Sequence, residues 1–349
     1  MQDDVAEWFA RRTSRAADWP LADVLAAKGP TTVAVVLPAL DEEHTIGAIV
    51  AGVRRGLVER HHLVDELVVM DSGSTDATQQ VAAAAGARVL RREEVLPEFP
   101  PLPGKGEVLW RALAATRSDV LVFIDADLRD FSVAFVTGLL GPLLSDPTVH
   151  FVKATYDRPL ARGETALPAG GGRVTELVAR PLLNAFWPQL AGFIQPLGGE
   201  YAARRSLLET LPFPTGYGVE LGLLIDAFGR VGLDGMAQVD LVKRKHRNSS
   251  THKLGRMAGE ILQVACNRLE REGRMSLTAE PAPALTQFER AGTGYRVSTT
   301  AVALPERPPM ASIASYRAHS SRLADDRDQG SEKRHHPGGP VDDEVRGRE

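Results

Sequence analysis

A mostly parallel α/β sheet flanked by helices is the fold that this 349-residue sequence predicts, and three observations predict it. Short apolar runs rich in Val and Ile alternate with longer helical patterns, which is the rhythm of strand, helix, strand. The runs are apolar on both faces, as strands covered from both sides are. Two of them end in acidic loops: Asp71-Ser72-Gly73-Ser74-Thr75-Asp76 follows Leu67 to Met70, and Asp125-Ala126-Asp127 follows Val120 to Ile124. Ligands of open α/β sheets bind outside the carboxyl ends of the strands. These loops therefore converge on one crevice, and carboxylates two apart on such a turn suit a divalent cation whose remaining ligands are substrate phosphates.

The elements follow in order. Val5 to Arg15, with Ala6, Trp8, Phe9 and Ala10 among charges, predicts an amphipathic helix packed outside the sheet. Thr32 to Leu37 is the first buried strand, turning at Pro38 to Glu43 into a helix from His44 to about Glu59. Asp65 to Met70 is the second strand. Ser74 and Thr75 cap an alanine-rich helix, Ala77 to Ala85, which Gly86 ends, and Ala87 to Leu90 is a short third strand. Leu96 to Gly104 is a proline-rich loop, and Lys105 opens a helix to about Arg117 before the fourth strand. A helix is expected over Phe131 to Leu144, a strand over Val149 to Thr155, and a flexible lid-like loop over Arg162 to Gly172. Helices at Arg173 to Phe186, Gly218 to Gly229 and Leu254 to Arg271, with a strand near Gly235 to Leu241, complete the pattern. The expected organisation is an N-terminal helical extension (1–30), a nucleotide-binding half (31–156), an acceptor-binding half (157–275), a C-terminal extension (276–304) and a disordered tail from 305, rich in charge, Pro and Gly.

Composition narrows the classes of function. With 43% apolar residues the chain can bury a large core, and a formal net charge of -4 disfavours a general nucleic-acid binder. One cysteine, Cys266, cannot form an internal disulfide, and the first residues carry no basic-then-apolar leader, so the expected compartment is the cytoplasm. No apolar run reaches the roughly 20 residues that cross a bilayer.

Each constellation has a bland reading beside its chemical one. Asp125 and Asp127 alone are a turn; behind a buried strand they are a cation or diphosphate site. Glu42 suits a ribose hydroxyl or simply caps the next helix. Lys105, flanked by Gly104 and Gly106, can approach a base or phosphate without steric cover, or is a surface lysine. His246, within Lys243 to Asn248, suits a metal facing the carboxylates, while the neighbouring cations suit a departing diphosphate; otherwise this is a solvated basic strand end. Gly170 to Thr175 leads into a helix start where Arg173 can take a carboxylate or phosphate bidentately, or is a linker. Glu220, after Tyr217-Gly218-Val219, grips sugar hydroxyls or is an ordinary first-turn acid.

Together, Pro38 to Glu43, Asp71 to Asp76, Gly104 to Glu107 and Asp125 to Asp127 resemble the nucleotide half of a Rossmann-like GT-A glycosyltransferase. Adding Gly172 to Leu177, Tyr217 to Glu220 and Arg244 to Asn248, the stretch from Val33 to Leu269 resembles the glucosyl-3-phosphoglycerate synthases of actinobacterial type. The resemblance implies transfer of glucose from UDP-glucose to the 2-hydroxyl of 3-phosphoglycerate, with retention, using Mg²⁺ or Mn²⁺, by a homodimer. It implies that Pro38, Ala39, Leu40, Asp41, Glu42, Ser72, Lys105, Asp125 and Ala126 bind the UDP part. Tyr217, Gly218, Val219, Glu220, Arg244, Lys245, Arg247 and Ser249 complete the UDP-glucose site. Gly172, Arg173, Val174, Thr175 and Asn248 hold the acceptor, and Asp127 and His246 hold the metal. Glu220, Leu197 (through its backbone carbonyl) and Arg244 stand at the reacting centre. The chain departs from the family in having Asp41 where Asn is common and Ala126 where Ser is common, and the Asp41 charge is expected to weaken or retune donor choice. A GT-A transferase with another donor or acceptor, such as a mannosyl-3-phosphoglycerate synthase or a polyprenyl-phosphate sugar transferase, is the alternative within enzymes. A non-catalytic nucleotide-sugar sensor is the alternative outside them.

Overall fold

The computed structural model describes residues 1–157, 160–162, 165–167, 172–243, 250–303 and 305–318, with the side chains of 158–171 and 242–243 outside that description. In chain order, helix α1 (Asp3–Arg12) leads into strand β1 (Thr13–Arg15) and α2 (Leu21–Lys28). There follow β2 (Val33–Ala39), α3 (Ile46–Val53), β3 (Glu66–Asp71), α4 (Thr78–Ala85), β4 (Arg88–Arg91), α5 (Lys105–Ala115), β5 (Val120–Phe123) and α6 (Ala134–Ser145). Next come β6 (Phe151–Asp157), the hairpin strands β7 (Leu160–Arg162) and β8 (Thr165–Leu167), α7 (Arg180–Phe186), β9 (Tyr201–Arg204), α8 (Arg205–Leu208) and β10 (Phe213–Pro214). The described chain continues through α9 (Val219–Val231), β11 (Met236–Lys243), α10 (Thr251–Arg271), β12 (Ala284–Ala291), β13 (Gly294–Ala301) and β14 (Glu306–Arg307). All of these lie in one compact unit, Met1–Met310.

Eight strands form the main sheet in the order β1-β11-β6-β9-β5-β2-β3-β4. β9 runs antiparallel to both neighbours and every other pairing is parallel. All carboxyl ends except that of β9 therefore share one edge, and the loop entering β9 reaches the same edge. Period-two alternation divides the core. Val33, Val35 and Leu37 of β2 join α2, α3, α4 and α6 on one face. Ala34 and Val36 are equally buried on the other.

Several expectations need correction. The N-terminal helix stops at Arg12, and Thr13–Arg15 join the sheet as its outermost strand, parallel to β11. Trp8 fixes that course: its ring is buried and its Nε1 donates to the Met236 carbonyl at 2.9 Å, while Gln238 donates to the Thr13 hydroxyl at 3.0 Å. Helix α4 is not capped by Ser74 or Thr75; Asp76 accepts the Thr78 amide at 2.9 Å instead. Part of the expected lid is the β7–β8 hairpin, and 163–164 and 168–171 lie outside the described residues. The segment from Pro305 is not a tail at its start, because β14 pairs with β10 and Arg307 is buried at 8% exposure. Residues 319–349 lie outside the described residues. The C-terminal extension carries an exposed two-stranded hairpin, β12–β13, whose Phe288 pairs with Val297 across the ladder.

Candidate active site

The first two loops at the carboxyl edge are knotted together. Asp41 has a left-handed backbone (φ 56), a conformation that Asn and Asp adopt more readily than other side-chain-bearing residues. Its amide donates to the Ser74 hydroxyl at 3.0 Å, and its carboxylate accepts from the Thr75 amide at 2.8 Å and the Thr75 hydroxyl at 3.3 Å. The Asn common at this position would supply the same acceptor from the same backbone, so the Asp41 carboxylate has a local structural task. Glu42 and Glu43 give their amides to Thr78 at 2.8 Å and Asp76 at 3.2 Å. Thr45 ties this rim to the third loop by donating to the Ala126 carbonyl at 2.6 Å. Pro38 to Glu42, Ser72 and Ala126 are thus brought together on one rim, the Ser72 amide donating to the Ala39 carbonyl at 2.9 Å.

Below the rim, Lys105 stands between two carboxylates. Its Nζ lies 2.5 Å from Asp125 Oδ1 and 2.8 Å from Glu220 Oε1. Burial alone would lower the ammonium's pKa, but Asp125 and Glu220 outweigh it and hold the value well above the ordinary lysine range. The neighbouring Tyr201 phenol is raised well above its usual value, first by burial and then by the Glu220 charge. The glycines flanking Lys105 serve a purpose other than the expected access. Gly104 has φ 110, and a Cβ there would lie 2.3 Å from the Thr215 carbonyl; at Gly106 it would lie 1.7 Å from that of Pro214. They let α5 press against the 214–216 backbone, which carries Tyr217 to Glu220. Gly199 closes the floor, since a Cβ there would sit 2.3 Å from the Asp125 carboxylate and 2.5 Å from Lys105 Nζ.

Glu220 lies in the first turn of α9 at 6% exposure, where the helix dipole favours its negative charge. The Tyr217 amide before it donates to Glu260 at 2.6 Å, and Glu260 is itself paired with Arg256 at 2.8 Å. The Leu197 turn is braced from beneath: Lys153 Nζ donates to the Gly198 carbonyl at 2.6 Å, and the Tyr156 hydroxyl to Glu200 at 2.6 Å. Gly172, with a left-handed backbone (φ 73), stands just before the helical stretch that begins at Arg173 and ends in α7. This stretch joins the Lys105 cluster indirectly, because α10 packs against both the Thr175–Ala179 turn and α9. Arg244, Lys245, His246, Arg247, Asn248 and Ser249 follow β11 and lie outside the described residues.

Asp125 pairs with Lys105, and Asp127, half-buried in the turn after β5, is the described half of the expected metal pair. Among the described residues no group of three His, Cys, Asp or Glu side chains converges. Sequence reasoning missed Glu260, Thr45, Gly199 and Arg92. The Arg92 guanidinium reaches the Ser72 hydroxyl at 3.5 Å and the Leu102 carbonyl at 3.4 Å, over the second loop. Gly198-Gly199 before a strand was the one visible signal, a close backbone approach. The others join residues far apart in the chain.

Comparison with known proteins agrees with this geometry. Residues 34–168 match the model of glycosyl transferase family 2. The chain is 50% identical over 312 residues to the glucosyl-3-phosphoglycerate synthase of Mycolicibacterium paratuberculosis, covering 88% of this chain and 92% of the relative. It is similar to the crystal structure of mannosyl-3-phosphoglycerate synthase from Rubrobacter xylanophilus (TM-score 0.81, 40% identity, 88% and 97% covered). It is also similar to glucosyl-3-phosphoglycerate synthase from Mycobacterium tuberculosis in complex with Mn²⁺, UDP and glucosyl-3-phosphoglycerate (TM-score 0.73, 48% identity, 84% and 95% covered).

Proposed function

The chain belongs to the glucosyl-3-phosphoglycerate synthase family of glycosyltransferases, and from that premise we propose how its own residues carry the reaction. It transfers glucose from UDP-glucose to 3-phosphoglycerate and uses a divalent metal, Mg²⁺ or Mn²⁺. The observation that carries the residue-level reading is the Lys105–Asp125–Glu220 cluster at the carboxyl edge of the sheet. The knotted loops Pro38 to Glu42 and Ser72 cradle the nucleoside. Lys105 keeps its charge across the physiological range and faces the donor, with Asp125 and Glu220 fixing where the ammonium stands. When bound, the metal supplies positive charge to the diphosphate leaving group, and Asp127 with His246 would hold it. Gly172 to Thr175 and Asn248 take the acceptor acid, with Arg173 as its charged clamp. Tyr217, Gly218, Val219, Arg244, Lys245, Arg247 and Ser249 complete the donor site.

We read the stereochemical course as retention by attack on the same face, with the Leu197 carbonyl beside the developing positive charge. Glu220 is already bound to Lys105, which favours a role in holding sugar and ammonium over that of a free nucleophile. Glu220→Gln is expected to lose turnover partially, and trapping of a glycosyl-enzyme on Glu220 would sink the same-face reading.

The test is UDP release by the protein given Mg²⁺, UDP-glucose and 3-phosphoglycerate, with each omitted in turn. Release is expected to need all three, to fall about 10²- to 10³-fold in Asp127→Ala and to fall sharply in Arg173→Ala. The likeness to the Rubrobacter enzyme makes a mannosyl donor the competing reading, so GDP-mannose belongs in the same assay. Turnover preferring GDP-mannose would reassign the donor and leave the acceptor reading intact. No helix among the described residues is long and apolar enough to cross a membrane, and the cytoplasm remains the proposed compartment. A homodimer is proposed as well. The exposed Phe288, Tyr295 and Val297 on the β12–β13 hairpin offer it a surface, and light scattering of wild type against Phe288→Ser tests this.

A further inference from the structure

Four consecutive residues near the end of the compact unit each hold a different part of the donor site. The Pro305 carbonyl accepts from the Thr215 amide at 3.2 Å and the Thr215 hydroxyl at 2.8 Å, five residues before Glu220. Glu306 pairs with Arg268 of α10 at 2.6 Å, and Arg268 pairs with Asp226 at 2.6 Å on α9, the helix whose first turn presents Glu220. Arg307 donates to both oxygens of Glu107, at 2.6 and 2.9 Å, and Glu107 lies two residues beyond Lys105 on α5. Its guanidinium also lies 5.1 Å from the Trp110 ring and 5.8 Å from that of Phe99. The Pro308 carbonyl accepts from Trp110 Nε1 of α5 at 2.9 Å.

Residues 305 and 306 therefore hold the side that carries Glu220, and residues 307 and 308 hold the side that carries Lys105. We propose that Pro305–Pro308 is a positioning strap that sets Lys105 against Glu220 and so prepares the donor site. The inference rests on the reading of that cluster as part of the UDP-glucose site. The two sides also meet directly, through the Lys105–Glu220 pair and through the Glu107 amide, which donates to the Thr215 carbonyl at 3.3 Å where Gly104 and Gly106 permit close approach. Glu107 is fully buried and Arg307 nearly so, and a buried ion pair that loses one partner forces its surroundings to move. A displacement of about 1 Å at a reacting group can cost about 10²-fold in rate. The strap itself lies beyond α5, so it acts through Lys105 and Glu220 and is a set of positioning residues.

The experiment compares wild type with Arg307→Ala, Arg307→Lys and Trp110→Phe, measuring kcat and KM for each substrate well below the unfolding midpoint of each protein. Arg307→Ala is expected to lower kcat/KM for UDP-glucose by about 10- to 100-fold, with KM for 3-phosphoglycerate changed less than about 2-fold. Millimolar guanidinium ion is expected to restore part of the loss in Arg307→Ala and none in Arg307→Lys, whose side chain still fills the slot. Trp110→Phe keeps an aromatic ring though a smaller one, loses the bond to Pro308, and is expected to fall in the same direction by about 2- to 5-fold. Lower melting temperatures with wild-type donor kinetics would make the strap purely structural and overturn the proposal. If Arg307→Ala does not fold, unchanged donor kinetics in both Arg307→Lys and Trp110→Phe overturn it equally. If wild type shows no transfer to 3-phosphoglycerate, the transfer reading fails by itself. UDP affinity with Mg²⁺, measured by calorimetry across the same variants, then decides the strap: weakening supports it and equality overturns it.

Discussion

The rim and the floor of the donor crevice are built from different interactions. On the rim, Asp41, Glu43, Ser74, Thr75 and Asp76, all exposed or half-buried, exchange hydrogen bonds between side chains and backbone amides. On the floor, Lys105, Asp125 and Glu220 meet as buried or half-buried charges, and beneath them Glu107 binds Arg111 and Arg307. A rim bond that breaks can be replaced by water, so each contributes about 1 kcal/mol. A floor bond that breaks strands a charge away from water, which costs about 3–5 kcal/mol. The rim therefore tolerates exchange of residues that keep one acceptor and one backbone shape. The floor tolerates little.

Gly199→Ala puts that contrast to its hardest test. The added methyl would overlap the Asp125 carboxylate and the Lys105 ammonium, both ends of side chains that can swing aside. Turnover is expected to fall about 10²-fold while the melting temperature changes little, because the misplaced groups are those proposed to hold the donor. Near-normal turnover would mean that the Lys105–Asp125 pair is not held by packing. Arg111→Met comes next, with stability as its readout. Arg111 is fully buried, donates to Glu107 at 2.6 Å and to the Phe99 carbonyl at 2.7 Å, and also binds the carbonyls of Val95 and Leu96. Urea unfolding is expected to show a loss of about 3–5 kcal/mol; a loss below 1 would erase the distinction between floor and rim. On the rim, Asp41→Ala is expected to lose about 1–2 kcal/mol, from the lost acceptor and the left-handed backbone that Ala adopts less readily. Asp41→Asn is expected to match wild type in both stability and KM for UDP-glucose. A changed donor KM in Asp41→Asn would return the carboxylate to the donor-choosing role that its charge suggests.

The same contrast explains what could be read in the sequence. Rim residues are contiguous, Pro38 to Glu43 and Asp71 to Asp76, each behind a buried strand, so both motif and placement are visible in one stretch of chain. Lys105 and Asp125 are legible for the same reason. Their partnership is not, because nothing local says that Glu220, 115 positions after Lys105, returns to the same ammonium. The glycines beside Lys105 show how local reasoning misleads: they look like clearance for a ligand and are clearance for the 214–216 backbone. Arg307 was hidden further by its setting, a charged and proline-rich stretch that reads as tail. Its burial depends on Glu107, 200 residues away. β9 escaped for another reason, since Tyr201–Arg204 is too short and too polar at its end to announce a strand.

Acidity separates rim and floor by the smallest effect. Burial would raise the Glu107 carboxyl, but the bonds from Arg307 and Arg111 prevail and hold its pKa below the usual glutamate value. A depressed carboxylate contributes stability that is complete above its unfolded pKa, about 4.3, and is lost as pH falls through the folded value. Lys105 has the opposite sign, since its raised pKa contributes fully below the ordinary lysine value and is lost only as pH rises through the folded one. The contributions of these two groups are therefore expected to hold steady between these limits, and that of Glu107 to decline on acidification past about pH 4. In Arg307→Met the Glu107 carboxyl loses one of the cations that depress it, so the melting-temperature gap between variant and wild type should narrow at pH 3.5 relative to pH 7. A gap of equal size at both pH values would show that Arg307 stabilises the floor by packing against Phe99 and Trp110, with the charge on Glu107 immaterial.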